Sequence, residues 1–484
     1  MMTRKNKVGI VGGTIWSILD NAAAQAITFV VFVILARFLD AGIYGMLAIS
    51  VLVIQFFRTV FFDSVATAIL RKESPTEEDY NSAFMICTLF SIPAFIIVIL
   101  FAPFIESILK VKDLAFVIRW TSVSILLYGF SRIFEAWLNH NFMFKQLAIR
   151  SIISISIAGA IGIYLAYKGY GIVSLMAQQV LSVLISLVVL FFTTPWRPTF
   201  RVSASSLKEI FSYGKHVSLS GITNFANQNS DIFFISFFLG APAAGLYSVG
   251  KRVVNTFTTV LSSALMRVSL PAFSRLKNNI VKLREQYINA TFFTILITAP
   301  MFFGLSALSK DITLLVFGKQ WVQAIPIMQI VSFTGCLVSI GYYNHSIMFA
   351  CDKPHWQSRL TLAYAITNVL FFLLFVRFGI VVTAISFTVR TVLMYPFSVW
   401  CALKLLDIKW MDYCRIIYIP LVSASVMLLC IFLIDRYWLS DVIWSFTILK
   451  IIVGMCVYML SLILFLPRKN KTDVVNFLIG LKSR

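Results

Sequence analysis

Residues 214–259 read GKHVSLSGITNFANQNSDIFFISFFLGAPAAGLYSVGKRVVNTFTT. The stretch has the length and apolarity of two membrane spans joined near residues 239–244, yet both spans carry polar groups. Asn224, Asn227, Gln228, Asn229 and Asp231 fall in the first, and Lys251, Arg252 and Asn255 in the second. A charge at bilayer depth costs about 2.5–3.5 kcal/mol even on lenient insertion scales. This many polar groups in two spans predict a wet, charged path through the membrane.

The rest of the chain supports that setting. Of 484 residues, 59% are hydrophobic and 13% charged, with a mean hydropathy of +0.88; an ordinary soluble domain carries about 25% charge. Span-length apolar runs of roughly 20 residues recur fourteen times, from near 12–36 to near 443–466, and leave no room for an extramembrane domain. The basic start, Thr3 to Lys7, leads into an apolar run without a small-residue cleavage site, so the first span is expected to stay in the mature protein.

Net charge is +21, and the 41 Lys and Arg are unevenly shared between the two sides of the fourteen spans. With a cytoplasmic N-terminus, 26 lie in cytoplasmic segments and 9 in outer ones. That bias predicts both termini inside and accounts for the basic balance without nucleic acid. Seven scattered cysteines lack C-x-x-C spacing and read as small core residues. Tyr44, Trp120, Trp321, Trp410 and Trp438, near span ends, read as interfacial anchors.

A repeat organises the chain. Leu39-Asp40-Ala41-Gly42-Ile43-Tyr44-Gly45-Met46 and Leu239-Gly240-Ala241-Pro242-Ala243-Ala244-Gly245-Leu246 share Leu, Ala and Gly in register. Each copy joins two spans, the first pair and the seventh and eighth. The expected layout is all-α and polytopic: a six-helix lobe over 1–200, a second over 201–405, and two further helices with a basic tail over 406–484. Paired bundles around a midplane site are a common transporter plan.

Deep charge concentrates in the first span pair of each half. Arg58 and Asp63 lie in span 2, Asp20 in span 1, Lys251 and Arg252 in span 8, and Arg390 in span 12. Asn224, Asn227 or Gln228, and Asp231 recur at helical spacing on one face. Arg58, Lys251, Arg252, Arg390, Asn224 and Asn227 are therefore candidate lining for a cationic cavity that holds an anionic substrate such as a pyrophosphate. Arg grips phosphate with a planar fork and Lys with a point charge. Asp20, Asp63 and Asp231 either bind a coupling H⁺ or Na⁺ or balance an arginine; Arg58 with Asp20 or Asp63 is the simplest structural alternative. Arg132 and Glu135 read as a local pair, and Lys450 as a side chain that snorkels outwards. No P-loop, metal-ligand cluster or paired-carboxylate site occurs, so neither a cofactor nor catalysis is expected. The remaining alternatives are a multidrug or cation antiporter, which favours an acidic or aromatic cavity, and a membrane polymerase or ligase, which needs a larger loop.

Specific motifs then resemble a known family. Phe211-Ser212-Tyr213-Gly214-Lys215, Asn229-Ser230-Asp231, Gly245-Leu246-Tyr247-Ser248-Val249-Gly250-Lys251-Arg252 and Leu270-Pro271-Ala272-Phe273-Ser274-Arg275 are similar to the Wzx-type polysaccharide exporters of the MOP superfamily, nearest the colanic acid branch. Asn6 to Ser82 adds Arg37-Phe38-Leu39 and Arg71. At Cys351-Asp352-Lys353-Pro354-His355 the chain departs from the Gly-basic pattern expected there. The resemblance implies two six-helix lobes in a V plus two C-terminal helices. It also implies flipping of undecaprenyl-pyrophosphate-linked oligosaccharides across a bacterial inner membrane by alternating access, coupled to an ion gradient. Membrane lipid, and the polymerase and chain-length proteins of the same pathway, are the expected partners.

Overall fold

The computed structural model describes residues 22–437 and 442–465. They are almost wholly helical, with no strand among the described residues. The membrane helices are α1 (Ala22–Phe38), α2 (Ala41–Leu70), α3 (Glu77–Leu109), α4 (Leu114–His140), α5 (Phe144–Tyr167), α6 (Ile172–Thr193), α7 (204–239), α8 (241–276), α9 (Ile280–Ala307), α10 (Lys319–Ala350), α11 (Pro354–Phe378), α12 (Ile380–Leu406), α13 (Trp410–Tyr437) and α14 (Trp444–Phe465). Among the described residues twelve continuous helices are long and apolar enough to cross a membrane, one of them the kinked rod that joins α7 and α8, and Ala22–Phe38 is a shorter apolar helix; the fourteen expected spans fall on these.

Local chemistry sets the breaks. The 73-residue rod Ala204–Leu276 is interrupted at Gly240, whose φ of 83° and ψ of 178° suit glycine alone. Pro242 sits in the first turn of α8, where its missing N–H costs nothing. At the equivalent break before α2, Asp40 stays in extended backbone and its Oδ1 accepts the Ile43 N–H at 2.9 Å. Thr76 and Asp79 close a reciprocal capping box at the start of α3.

The two repeat copies meet. A Cβ on Gly45 would lie 1.7 Å from the Ala241 carbonyl oxygen, and one on Gly245 would lie 1.9 Å from that of Ala41. Each copy thus offers an Ala-x-x-x-Gly face, and each glycine takes the backbone of the other copy's alanine. Close backbone approach over small residues is how membrane helices gain packing energy, because lipid supplies no hydrophobic drive between them.

By contact, the described chain forms two compact units. One holds the residues up to Val249 together with Thr361–Phe387; the other holds Gly250–Leu360 and the residues from Thr388 onward. In the first, Phe62, Ile69, Cys87, Ile118, Phe134 and Leu190 form a shared core across α2, α3, α4 and α6. Segment 361–387 joins this unit because buried Asn368 donates to both the backbone and side-chain oxygens of Asn227, at 2.8 and 2.7 Å, and Arg377 lies over the Phe238 ring. In the second unit the Tyr287 hydroxyl donates to Asn344 at 2.6 Å and Asn344 to Ser398 at 3.1 Å, which ties α9, α10 and α12.

Three sequence expectations change here. Lys450 does not snorkel: it is fully buried, with Nζ 3.1 Å from Asp311 and 2.6 Å from Asp435, and Lys310 also reaches Asp435 at 3.4 Å. An ammonium with two carboxylates in reach gains more from them than from a partial exit to water. Trp321 and Tyr44 are core residues rather than interfacial anchors, at 0% and 4% exposure, whereas Trp120 and Trp410 are exposed; Trp438 lies outside the described residues. All seven cysteines are free, but Cys414 and Cys456 are exposed and so are not core.

Candidate functional site

In α2 the helix widens into a π-turn over Arg58–Phe62, closed by the Asp63 N–H bonding back to the Arg58 carbonyl. Such one-residue insertions reset the register of every later residue in the helix, and they are frequent at functional sites. Here the turn separates the roles of the two charges it brackets. Arg58 places its guanidinium 4.9 Å from the centre of the Tyr128 ring on α4. Asp63 pairs instead with Arg132, one helical turn beyond Tyr128, at 2.8 Å.

Arg132 begins a chain of charges. It also bonds Glu135 on its own helix, and Glu135 bonds Arg150 on α5. Arg150 continues to Ser186 of α6 at 3.3 Å. The predicted Arg132–Glu135 pair is thus one link of a network across α2, α4, α5 and α6. In this network two carboxylates serve Arg132 and Arg150, and Arg58 faces no carboxylate within ion-pair distance among the described residues. The expected Arg58–Asp63 pair is not made, because the π-turn aims Asp63 at Arg132. Among the described residues Arg58 is the surplus cation of this group, held by a π-face that leaves its edge N–H groups available.

α7 lies along this turn. A Cβ on Gly221 would come 2.9 Å from the Thr59 carbonyl oxygen, and Phe225 meets Phe56 edge-on at 5.3 Å. One turn further, Asn224 and Gln228 are both exposed, while Asn227 is half-buried against Asn368. Asp231 is buried at 2% exposure, and its Oδ1 accepts the Ile232 N–H. The polar residues of α7 therefore divide: Asn224 and Gln228 are open, and Asn227 and Asp231 are turned into packing.

In the second unit, Lys251 and Arg252 lie on α8, where Lys251 is half-buried, and Arg390 is buried on α12. Asp20 lies outside the described residues. Tyr128, Asn368 and Arg150 were not singled out from sequence. A tyrosine, an asparagine and an arginine one turn into a span carry no local signal of their long-range partners. Among the described residues no group of His, Cys, Asp and Glu is arranged to hold a metal ion.

The chain resembles the succinoglycan biosynthesis transport protein ExoT of Rhizobium meliloti (strain 1021), 28% identical over 332 residues, covering 68% of this chain and 67% of that one. It is 22% identical to the teichuronic acid biosynthesis protein TuaB of Bacillus subtilis (strain 168), over 74% and 75% of the two chains. The lipopolysaccharide biosynthesis protein WzxC of Escherichia coli (strain K12) is also 22% identical, over 70% of each. In fold, it matches the lipid II flippase MurJ in an inward closed conformation with a TM-score of 0.71 at 14% identity, over 94% of this chain and 97% of that one. An inward-facing MATE multidrug transporter of the MOP superfamily matches with a TM-score of 0.56 at 14% identity, over 82% and 96%. A family model described as polysaccharide biosynthesis protein matches residues 34–326, more than half the sequence, and the chain belongs to that family.

Proposed function

We propose that this multi-pass membrane protein is a flippase for lipid-linked oligosaccharides in polysaccharide export, and that Arg58 takes the phosphate of the lipid carrier. The observation that carries the site assignment is the surplus cation: Arg58 sits inside a span, on a π-turn, over Tyr128, beside a network whose carboxylates are already used. A guanidinium with no counter-anion among the described residues is stabilised by the next anion to arrive, and a phosphate matches its geometry.

In this reading Arg132 holds Asp63 away from Arg58 and keeps the site net positive. Asn224 offers an amide to sugar hydroxyls, and Asn227 and Asp231 shape α7; Lys251, Arg252 and Arg390 are proposed as cationic contacts within the second unit. No covalent bond is made or broken, so the protein is a carrier and not an enzyme. The undecaprenyl-pyrophosphate carrier, the two lobes at 1–200 and 201–405 with the C-terminal pair from 406, alternating access, and H⁺ or Na⁺ coupling through Asp63 or Asp231 belong to the proposal. The family membership and the repeat support it. The 26-to-9 distribution of Lys and Arg supports both termini lying in the cytoplasm of a bacterium.

Deleting the gene in its host tests the function. The expected result is loss of surface polymer with lipid-linked units accumulating on the cytoplasmic leaflet. Unchanged polymer, or altered drug resistance alone, would reject it in favour of a MATE-like antiporter.

A further inference from the structure

Where α2 ends, a second cationic site opens, separate from Arg58 and its network. A cavity of about 180 Å³ is lined by Ala68, Arg71, Lys72, Glu209, Ile210 and Tyr213, all in the first unit. The Arg71 guanidinium stacks 4.6 Å from the centre of the Tyr213 ring and meets no carboxylate among the described residues. Lys72 is fixed at both ends. Its Nζ lies 2.7 Å from Asp79 and 2.8 Å from Glu209, and its carbonyl oxygen accepts from His140 Nε2 at 3.1 Å. Burial works to lower the Lys72 pKa, but its hydrogen bonds to Asp79 and Glu209 outweigh that and raise it, so the ammonium stays charged.

The wall is built as well as lined. Asp79 also accepts from the Ser206 hydroxyl at 2.5 Å; Asn81 exchanges bonds with Thr199 at 2.7 and 3.1 Å, and the Ser203 N–H reaches Ser82 at 3.1 Å. Three residues of α3's first turns thus pin the segment 199–206, and with it the start of α7 that carries Glu209 and Tyr213. The cavity is about six times the roughly 30 Å³ that a water occupies, room enough for a phosphate group. Because Lys72 satisfies Glu209, the charge left for a ligand is that of Arg71.

We propose that this pocket is a docking site for a lipid-borne phosphate on the basic side of the membrane, where the headgroup is captured before it reaches Arg58. The inference rests on the flippase reading for its direction only. Arg71 caps the C-terminal end of the helix that carries Arg58, thirteen residues or about 20 Å away, so α2 and its cap hold a surface station and a deep station for the same chemistry. The pyrophosphate of a polyprenyl carrier and the phosphodiester of a bulk phospholipid are the two sources of such a group.

Binding to full-length protein in nanodiscs, in the Arg58→Ala background, separates them. One arm titrates a short-chain polyprenyl pyrophosphate into phosphatidylcholine discs; the other titrates phosphatidylglycerol. We expect Arg71→Ala to weaken the occupied arm about tenfold, Arg71→Lys to recover part of that loss, and Glu209→Gln to leave binding equal or tighter. Occupancy in the first arm alone identifies the carrier, and in both a general lipid phosphate. Binding that is indifferent to Arg71→Ala in both arms, or weakened by Glu209→Gln, overturns the site. A protein that translocates but binds independently of Arg71 refutes the docking site and spares the function. With Arg58 intact, one that binds through Arg71 but never translocates does the reverse.

Discussion

The two copies of the repeat agree in how they pack and differ in the charge they carry past the break. At residues 39–45 and 239–245 both break the helix at the same position and both set an alanine and a glycine four residues apart against the other copy. The break itself is made differently, by a capping Asp40 in one and by Gly240 at positive φ in the other. α2 then runs on to a π-turn and places Arg58 deep in the span, whereas α8 carries Lys251 and Arg252 within about three turns of its break. Packing is duplicated because two backbones in close contact constrain each other; the deep charges are not duplicated.

The shared part is the easiest to break. Gly45→Ala and Gly245→Ala each drive a methyl into a backbone oxygen that cannot rotate away. Both should lose well over the roughly 1–3 kcal/mol of ordinary overpacking, seen as a sharp drop in thermal midpoint or in yield of folded protein. Equal effects confirm the reciprocal contact; tolerance of either one breaks it.

The charge network of the first copy comes next. Arg132→Ala leaves Asp63 and Glu135 without their shared cation, a loss of about 3–5 kcal/mol for a pair that is truly buried. At 20% and 33% exposure for the Arg132 and Asp63 side chains, the lower end is expected. Arg132→Ala with Asp63→Asn should recover part of it, which a double-mutant thermal series measures.

The two breaks give a smaller contrast. Gly240→Ala puts a side chain where backbone strain is about 1–3 kcal/mol, while Asp40→Ala forfeits a cap worth about 1 kcal/mol. Thermal midpoints should rank them in that order. Smallest is a pH effect at the end of α2. The raised pKa of Lys72 means that its contribution is complete below the ordinary lysine value of 10.5 and is lost as pH climbs through the higher folded value. The difference in thermal midpoint between the wild type and Lys72→Gln should stay level from neutral pH to about pH 10 and shrink above it.

Spans and the repeat were legible in the sequence because each is a local pattern: apolar length, and Ala-x-x-x-Gly at one offset. The presence of charge in α2 and α8 was legible for the same reason. Partners were not. Asp63 and Arg132 are 69 positions apart, Asn227 and Asn368 are 141 apart, and Lys450 meets Asp311 across 139. No periodicity joins residues so distant. The π-turn also escaped, since Arg58-Thr59-Val60-Phe61-Phe62 is indistinguishable from an ordinary helical run, yet it decides which arginine Asp63 serves.

Arg58 is proposed to bind substrate and Arg132 to hold structure, and one paired measurement separates the two roles. Arg58→Ala and Arg132→Ala, purified and reconstituted in liposomes, should be assayed for translocation of a polyprenyl-pyrophosphate oligosaccharide alongside their thermal midpoints. Arg58→Ala is predicted to keep a near-wild-type midpoint and to lose translocation at least about tenfold, as expected for removing a charge-assisted contact, whereas Arg132→Ala loses stability first. Translocation by Arg58→Ala at the wild-type rate would contradict the assignment.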